Sequence, residues 1–213
     1  VLKGYGEPAH APLPPALFTQ ASRARARTLA LDQDRARRLL DRAGVGDGFE
    51  TTLTVSTVPR PYLPEPLRLA EIVHDALAAI GLKGRIREIP TWAEHVELTS
   101  RGDFDMALLG WQADTLDPND FLTTLLDSGS IGTTNRSRYR SEEMDRLLKR
   151  ARMESATQMR GALYRRAHAL FEEEMPFVPL YHASVFTARR REVNGVVTSP
   201  TGVLSYGKSW KTE

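Results

Sequence analysis

One stretch of the chain concentrates residue types suited to holding a small polar molecule: Gly110-Trp111-Gln112-Ala113-Asp114-Thr115-Leu116-Asp117-Pro118-Asn119-Asp120-Phe121. It brings an aromatic face, carboxylates and a helix start into one place. Trp111 can cover the apolar body of a ligand, and an ionised Asp114 can hold a cation. The same residues also have a plainer structural reading. Trp111 can be core, and Asp117-Pro118 has the form of an N-cap followed by the first helical residue. Arg60, between Pro59 and Pro61, reads on pattern alone as an exposed loop charge.

Bond-breaking chemistry finds no comparable support. The chain contains no cysteine, which excludes thiol catalysis, disulfides and cysteine-based metal sites. It has no Gly-x-Ser-x-Gly elbow, no P-loop and no Gly-x-Gly-x-x-Gly. His10, His74, His95, His168 and His182 lie far apart with no His-x-x-x-His pair, so satisfied surface or core histidines are expected rather than metal ligands. Asp103 and Asp105 precede an apolar run and read as turn and edge residues.

The elements that must position these residues follow from periodicity. Ala36, Leu39, Leu40 and Ala43 place one apolar face on a helix from about Asp32 to Ala43, with Asp32 or Asp34 as its cap and Gly44 past its end. Leu53 and Val55, alternating with polar residues, predict a strand that Pro59 stops. Pro66 to Ile80 predicts a second helix with a stripe of Leu69, Ile72, Val73, Ala76, Leu77 and Ile80. Leu82 to Ile89 predicts a strand. Thr91 and Glu94 form a capping box for a helix ending near Ser100. Met106-Ala107-Leu108-Leu109 is a continuous apolar run, suited to a parallel strand buried on both faces. Helices are expected over Asn119–Asp127, Ser141–Met153 and Ala156–Glu173, and strands over Phe177–His182 and Ser184–Ala188. Ligands of open α/β sheets bind at the carboxyl ends of strands, where the Gly110–Phe121 stretch falls.

The alternation of helix and strand indicates an α/β fold. With 213 residues and 41% hydrophobic content, the chain can build a core. Its net charge of +2, from 29 basic and 27 acidic residues, makes only a weak field, and Arg23, Arg25 and Arg27 lack the interleaved aromatics of a nucleic-acid platform. No nucleic-acid partner is expected. Residues 1–30, with Pro8, Pro12, Pro14 and Pro15, read as an extended lead-in or linker, 31–190 as the α/β body and 191–213 as a less regular tail. The opening Val1-Leu2-Lys3-Gly4 carries neither an initiator Met nor a signal pattern, which points to a piece of a longer protein.

Several motifs in order resemble one family. They are Asp34-x-Ala36-x-x-Leu39-Leu40-x-x-Ala43-Gly44, Arg60-Pro61-Tyr62, Ile80-Gly81, Gly102-Asp103-Phe104-Asp105, Gly110-Trp111-x-x-Asp114-x-x-Asp117-Pro118-x-x-Phe121, Asn135-x-Ser137-x-Tyr139, Leu163-Tyr164-x-x-Ala167, Pro176-x-x-Pro179-Leu180 and Val193-x-Gly195. Together they resemble the C-terminal part of the extracytoplasmic solute-binding proteins of ABC importers, in the peptide/nickel family (family 5), and in particular its dipeptide-binding branch. The resemblance implies a lobe of the type II periplasmic-binding-protein fold, a mixed β-sheet flanked by helices, with a tail returning toward a missing N-terminal lobe. It implies binding rather than catalysis, no cofactor and no metal. The implied partners are a peptide and a membrane permease, and the implied location is periplasmic or membrane-anchored outside the cytoplasm. It assigns Asp114 to the ligand ammonium and Arg60 to the ligand carboxylate, with Trp111 as a wall and Gly110 and Tyr62 in the same site. Asp117 is expected to cap a helix. Other solutes remain open: a longer peptide, glutathione, a nickel chelate, haem or an oligosaccharide. So do service to a chemoreceptor and, from another class, an aspartate-based hydrolase.

Overall fold

The structure, a computed structural model, describes residues 1–17, 30–45, 48–199 and 201–212. Its first segment is not a free lead-in. β1 (Gly6–Pro8) pairs antiparallel with β5 (Tyr181–Ala183), and Leu13 and Leu17 are buried in a helical core. The prolines restrict this backbone, which is extended only over β1 and ends in a short 3-10 helix, Pro15–Leu17, while its apolar residues anchor it. Arg23, Arg25 and Arg27 lie outside the described residues.

α1 (Gln33–Arg42) starts where the Asp32 carboxylate accepts a hydrogen bond from the Arg35 amide at 2.8 Å. Its apolar stripe faces no core among the described residues: no residue of α1 is buried, and Leu39 is 52% exposed.

The sheet that carries the site consists of β2 (Glu50–Ser56), β3 (Lys83–Ile89) and β4 (Met106–Ala107), all parallel, in the order β3-β2-β4. Parallel neighbours need a long crossover, supplied here by α2 (Pro66–Ala78) and α3 (Trp92–Arg101). Leu53, Thr54, Val55 and Ser56 of the central strand are all buried. α2 buries Pro66, Leu69 and Ala70 but leaves Ile72 exposed, a narrower face than its stripe. β4 is shorter than the run Met106–Leu109, although the Leu108 amide still donates to the Thr54 carbonyl at 3.0 Å. Asp105 closes the sheet edge by accepting from the Thr52 amide at 2.9 Å, and Asp103 pairs with Arg101, so both act as turn and edge residues.

α4 (Pro118–Leu126), α5 (Glu142–Met153) and α6 (Thr157–Glu174) form the helical part. Met144, Leu147, Leu148 and Ala151 of α5 meet Phe121, Leu122 and Leu126 of α4 and Tyr164, Ala167 and Phe171 of α6 in one core. Each large side chain so buried contributes about 1.5–3 kcal/mol.

β5 is shorter than the strand expected over 177–182, because Pro176 and Pro179 have no amide hydrogen for a ladder. Residues 184–188, expected as a strand, form none, and Val185 and Phe186 are exposed. The tail forms two small antiparallel ribbons, β6 (Val193–Asn194) with β9 (Trp210–Lys211), and β7 (Val197–Thr198) with β8 (Leu204–Ser205). The fold is α/β as expected, with parallel and antiparallel pairing in separate sheets.

Candidate functional site

The strand order makes β2 the point where the chain reverses its progress across the sheet: β3 lies on one side of it and β4 on the other. Loops leaving the carboxyl ends of strands at such a point diverge and open a crevice. Here they are the loops after β2 and after β4. The first carries Arg60 and Tyr62, the second Gly110, Trp111 and Asp114.

The two loops interlock. A Cβ added at Gly110 would stand 2.3 Å from Tyr62 Cδ2 and 2.6 Å from its Cε2, so the Tyr62 ring fills the space of a side chain at 110. The first loop is a tight turn. The Arg60 amide donates to the Leu63 carbonyl at 3.0 Å, the Leu63 amide donates back at 2.8 Å, and Leu63 is rooted in the sheet core.

Arg60 rests its guanidinium on Trp92, with Cζ 4.6 Å from the ring centroid. Its Nε is buried without a hydrogen-bond partner, and among the described residues it has no ion pair. Trp92 lies against His95, ring centroids 5.6 Å apart. His95 is fully buried, with Nε2 3.2 Å from the Leu108 carbonyl oxygen. A carbonyl only accepts, so Nε2 carries the proton. Burial lowers the pKa of this imidazole from its ordinary value, the Leu108 hydrogen bond opposes that shift, and Arg136 adds to it. The relay Arg60–Trp92–His95–Leu108 thus runs from one loop to the root of the other.

The second loop contains three aspartates with different fates. Asp117 caps α4 by accepting from the Asn119 amide at 2.8 Å and takes a two-pronged contact from Arg160 at 2.7 and 2.8 Å. Those guanidinium hydrogen bonds hold its carboxyl below the ordinary range. Arg160 also donates to the Tyr164 hydroxyl at 2.7 Å, so the cap is tied to α6. Asp120 accepts from the Asp114 amide at 2.6 Å, the Thr115 amide at 2.7 Å and the Trp111 indole N–H at 3.3 Å. Asp114 is exposed, and its carboxylate has no ion pair among the described residues.

Trp111 is therefore both core and loop: its ring packs on the helical cluster while its N–H turns to Asp120. Gln112 donates to the Thr201 carbonyl at 2.9 Å, which ties the tail to this loop. Tyr62 and Gly110 meet directly, Trp111 and Asp114 share Asp120, and Arg60 and Asp114 form no ion pair with each other. Sequence reasoning missed Trp92, His95 and Asp120 as contributors. Only Asp120 carried a local signal, an acidic residue in the first turn of a helix. Among the described residues no group of three or more His, Asp and Glu side chains is arranged to hold a metal ion. No helix of the described residues is long and apolar enough to cross a membrane.

Comparison with known proteins adds four findings. The family described as "Bacterial extracellular solute-binding proteins, family 5 Middle" matches residues 1–133. The chain is 35% identical over 202 residues to di/tripeptide-binding protein 2 of Pseudomonas aeruginosa (strain UCBPP-PA14), covering 94% of this chain and 37% of that one. It is 32% identical over 202 residues to heme-binding protein A of Haemophilus influenzae, covering 95% and 36%. Among solved structures, a dipeptide-binding protein from Pseudoalteromonas sp. SM9913 in complex with Met-Leu superposes with a TM-score of 0.85 at 28% identity, covering 100% of this chain and 41% of that one. The chain thus spans about two-fifths of the length of the proteins it matches, or slightly less.

Proposed function

Because this chain belongs to the bacterial extracellular solute-binding proteins of family 5, we propose that it is the C-terminal lobe of a two-lobed protein that captures a di- or oligopeptide for an ABC importer. In this reading residues 31–190 form the lobe, the segment before them packs onto it through β1, Leu13 and Leu17, and residues 191–213 return toward the other lobe. The family and its named relatives are binding proteins, and the family's description as extracellular supports a location outside the cytoplasm.

The observation that carries the proposal is the pair of opposite charges on the loops after β2 and β4. Asp114 offers a carboxylate and Arg60 a guanidinium, each without an ion-pair partner among the described residues, on loops interlocked through Tyr62 and Gly110. A free peptide carries the complementary ends, an ammonium for Asp114 and a carboxylate for the planar fork of Arg60. Trp111 and Tyr62 supply the aromatic walls. Closure of a second lobe then removes these charges from water, and contacts from both lobes favour the closed state. Leaving one buried charge without its partner costs about 3–5 kcal/mol, so a peptide lacking either terminus is rejected. This scheme needs no bond-breaking step, since the two loops present charge partners for the peptide termini.

The test is calorimetric titration of the complete protein with one dipeptide in free, N-acetylated and C-amidated forms. Binding of the free form alone supports both anchors. Equal binding of all three removes the roles of Asp114 and Arg60. The heme-binding relative gives a second reading a concrete footing, so hemin belongs in the same series. Hemin binding without dipeptide binding replaces the peptide assignment.

A further inference from the structure

If Asp114 is to receive a cation, something must hold its loop open and keep competing groups occupied. We infer that Asp120 is the positioning residue of this cation-binding loop. The inference rests on the proposed ligand role of Asp114.

Asp120 gathers the loop around one carboxylate. Its Oδ2 accepts from two successive amides, those of Asp114 at 2.6 Å and Thr115 at 2.7 Å, with the Thr115 hydroxyl at 3.4 Å. Two consecutive N–H groups converge on one acceptor only if the backbone curls around it, so Asp120 sets the turn at Asp114. Its Oδ1 accepts from the Trp111 indole at 3.3 Å, which fixes the proposed wall of the site by the same group. Asp120 is itself anchored. It lies in the first turn of α4, its amide donates to the Asp117 carbonyl at 3.0 Å, and Asp117 is gripped by Arg160. The loop therefore hangs from a helix whose start is pinned from α6.

This arrangement divides the labour between two carboxylates. Short hydrogen bonds to an ionised acceptor are among the stronger ones, and those at Asp120 occupy both of its oxygens. Asp120 is then a poor competitor for a ligand cation, and Asp114, whose backbone it fixes, is left to receive it. Without Asp120 the two amides lose their acceptor and the loop must be ordered by the ligand, which weakens binding.

The experiment uses the complete protein with Asp114→Ala, Asp120→Ala and Asp120→Asn. Each is titrated with a free dipeptide and with its des-amino analogue, which lacks only the ammonium, and each is melted to report folding. We expect D114A to collapse the preference for the free dipeptide. We expect D120A to lower affinity for the free dipeptide by about 10- to 100-fold, the range set by losing hydrogen bonds to a charged group, with a smaller loss for the analogue, which meets only the loosened Trp111 wall. D120N should fall between, since an amide keeps one acceptor oxygen but turns its NH2 toward other donors. If D114A collapses the preference and both Asp120 variants retain it, or lower both ligands equally, the inference is overturned and the function reading survives. If D114A itself leaves the preference intact, the function reading fails and the inference goes with it. Should D120A fail to fold, D120N decides on the same criteria.

Discussion

The ring of Tyr62 occupies the space that a side chain at position 110 would need. Its Cδ2 would lie 2.3 Å from a Cβ there, far inside any permitted contact. Glycine at 110 is therefore a matter of close approach between two loops, and it locks the Arg60 turn to the Asp114 loop.

Gly110→Ala should displace Tyr62 and destabilise the protein by about 1–3 kcal/mol, the usual cost of overpacking. Peptide affinity should fall with it. Adding Tyr62→Ala should recover part of the stability, giving a favourable coupling in a double-mutant cycle by thermal denaturation. Strict additivity of the two changes would mean that the ring and the glycine do not interact.

Arg60→Ala should remove discrimination between a free and a C-amidated dipeptide, measured by calorimetry. Arg60→Lys should restore it only in part, because an ammonium cannot present the planar fork. Trp92→Leu should weaken binding less than loss of Arg60, since the ring contact at 4.6 Å contributes about 0.5–2 kcal/mol to placing the guanidinium. An unchanged ratio of the two ligands in Arg60→Ala would remove this residue from the site.

Acid should loosen the anchor of the second loop. The Asp117 carboxyl is held below its ordinary value, chiefly by hydrogen bonds from Arg160. A depressed carboxyl stabilises the folded state fully above the unfolded value, near pH 4, and that contribution disappears as pH falls through the folded value. Asp117→Asn should therefore lower stability at neutral pH and flatten the acid limb of the denaturation curve. Because this pair is partly solvated, the effect should be smaller than for a buried pair.

Mild acid should act earlier through buried imidazoles. Burial lowers the pKa of His95, His168 and His182 from their ordinary value of 6.5. As pH drops through 6.5 the unfolded chain takes up protons that the folded chain does not, so stability falls. The melting temperature should decline between pH 7 and pH 5. His95→Gln, which keeps a donor for the Leu108 carbonyl, should remove one part of that decline. A slope unchanged by this substitution would mean that His95 contributes nothing to it.

Much of the secondary structure was legible in the sequence because its signals are local. Asp32, Thr91, Asp117 and Ser141 all cap helices through bonds to amides two or three residues ahead. The spacing of Met144, Leu147, Leu148 and Ala151 predicted a face that is almost wholly buried. Asp114 stood out because it follows an apolar run, and Arg60 entered through resemblance to a family. Pro176 and Pro179 are equally visible, yet only the packed chain shows how far they shorten the strand beside them.

The relationships that make a site were decided by tertiary structure. Nothing local shows that β2 lies between β3 and β4, yet that order alone sets the Arg60 turn beside the Gly110 loop. Nor does composition say which of three neighbouring aspartates remains available. Asp117 is engaged by a residue 43 positions away, Asp120 by the folded loop before it, and Asp114 is left without an ion-pair partner among the described residues. The apolar stripe of α1 is the converse case, a local pattern for which packing among the described residues provides no cover. Caps and periodicity depend on atoms a few residues apart, and the sequence alone determines them. Strand order and charge pairing depend on how distant segments compete for the same space, which only the packed chain resolves.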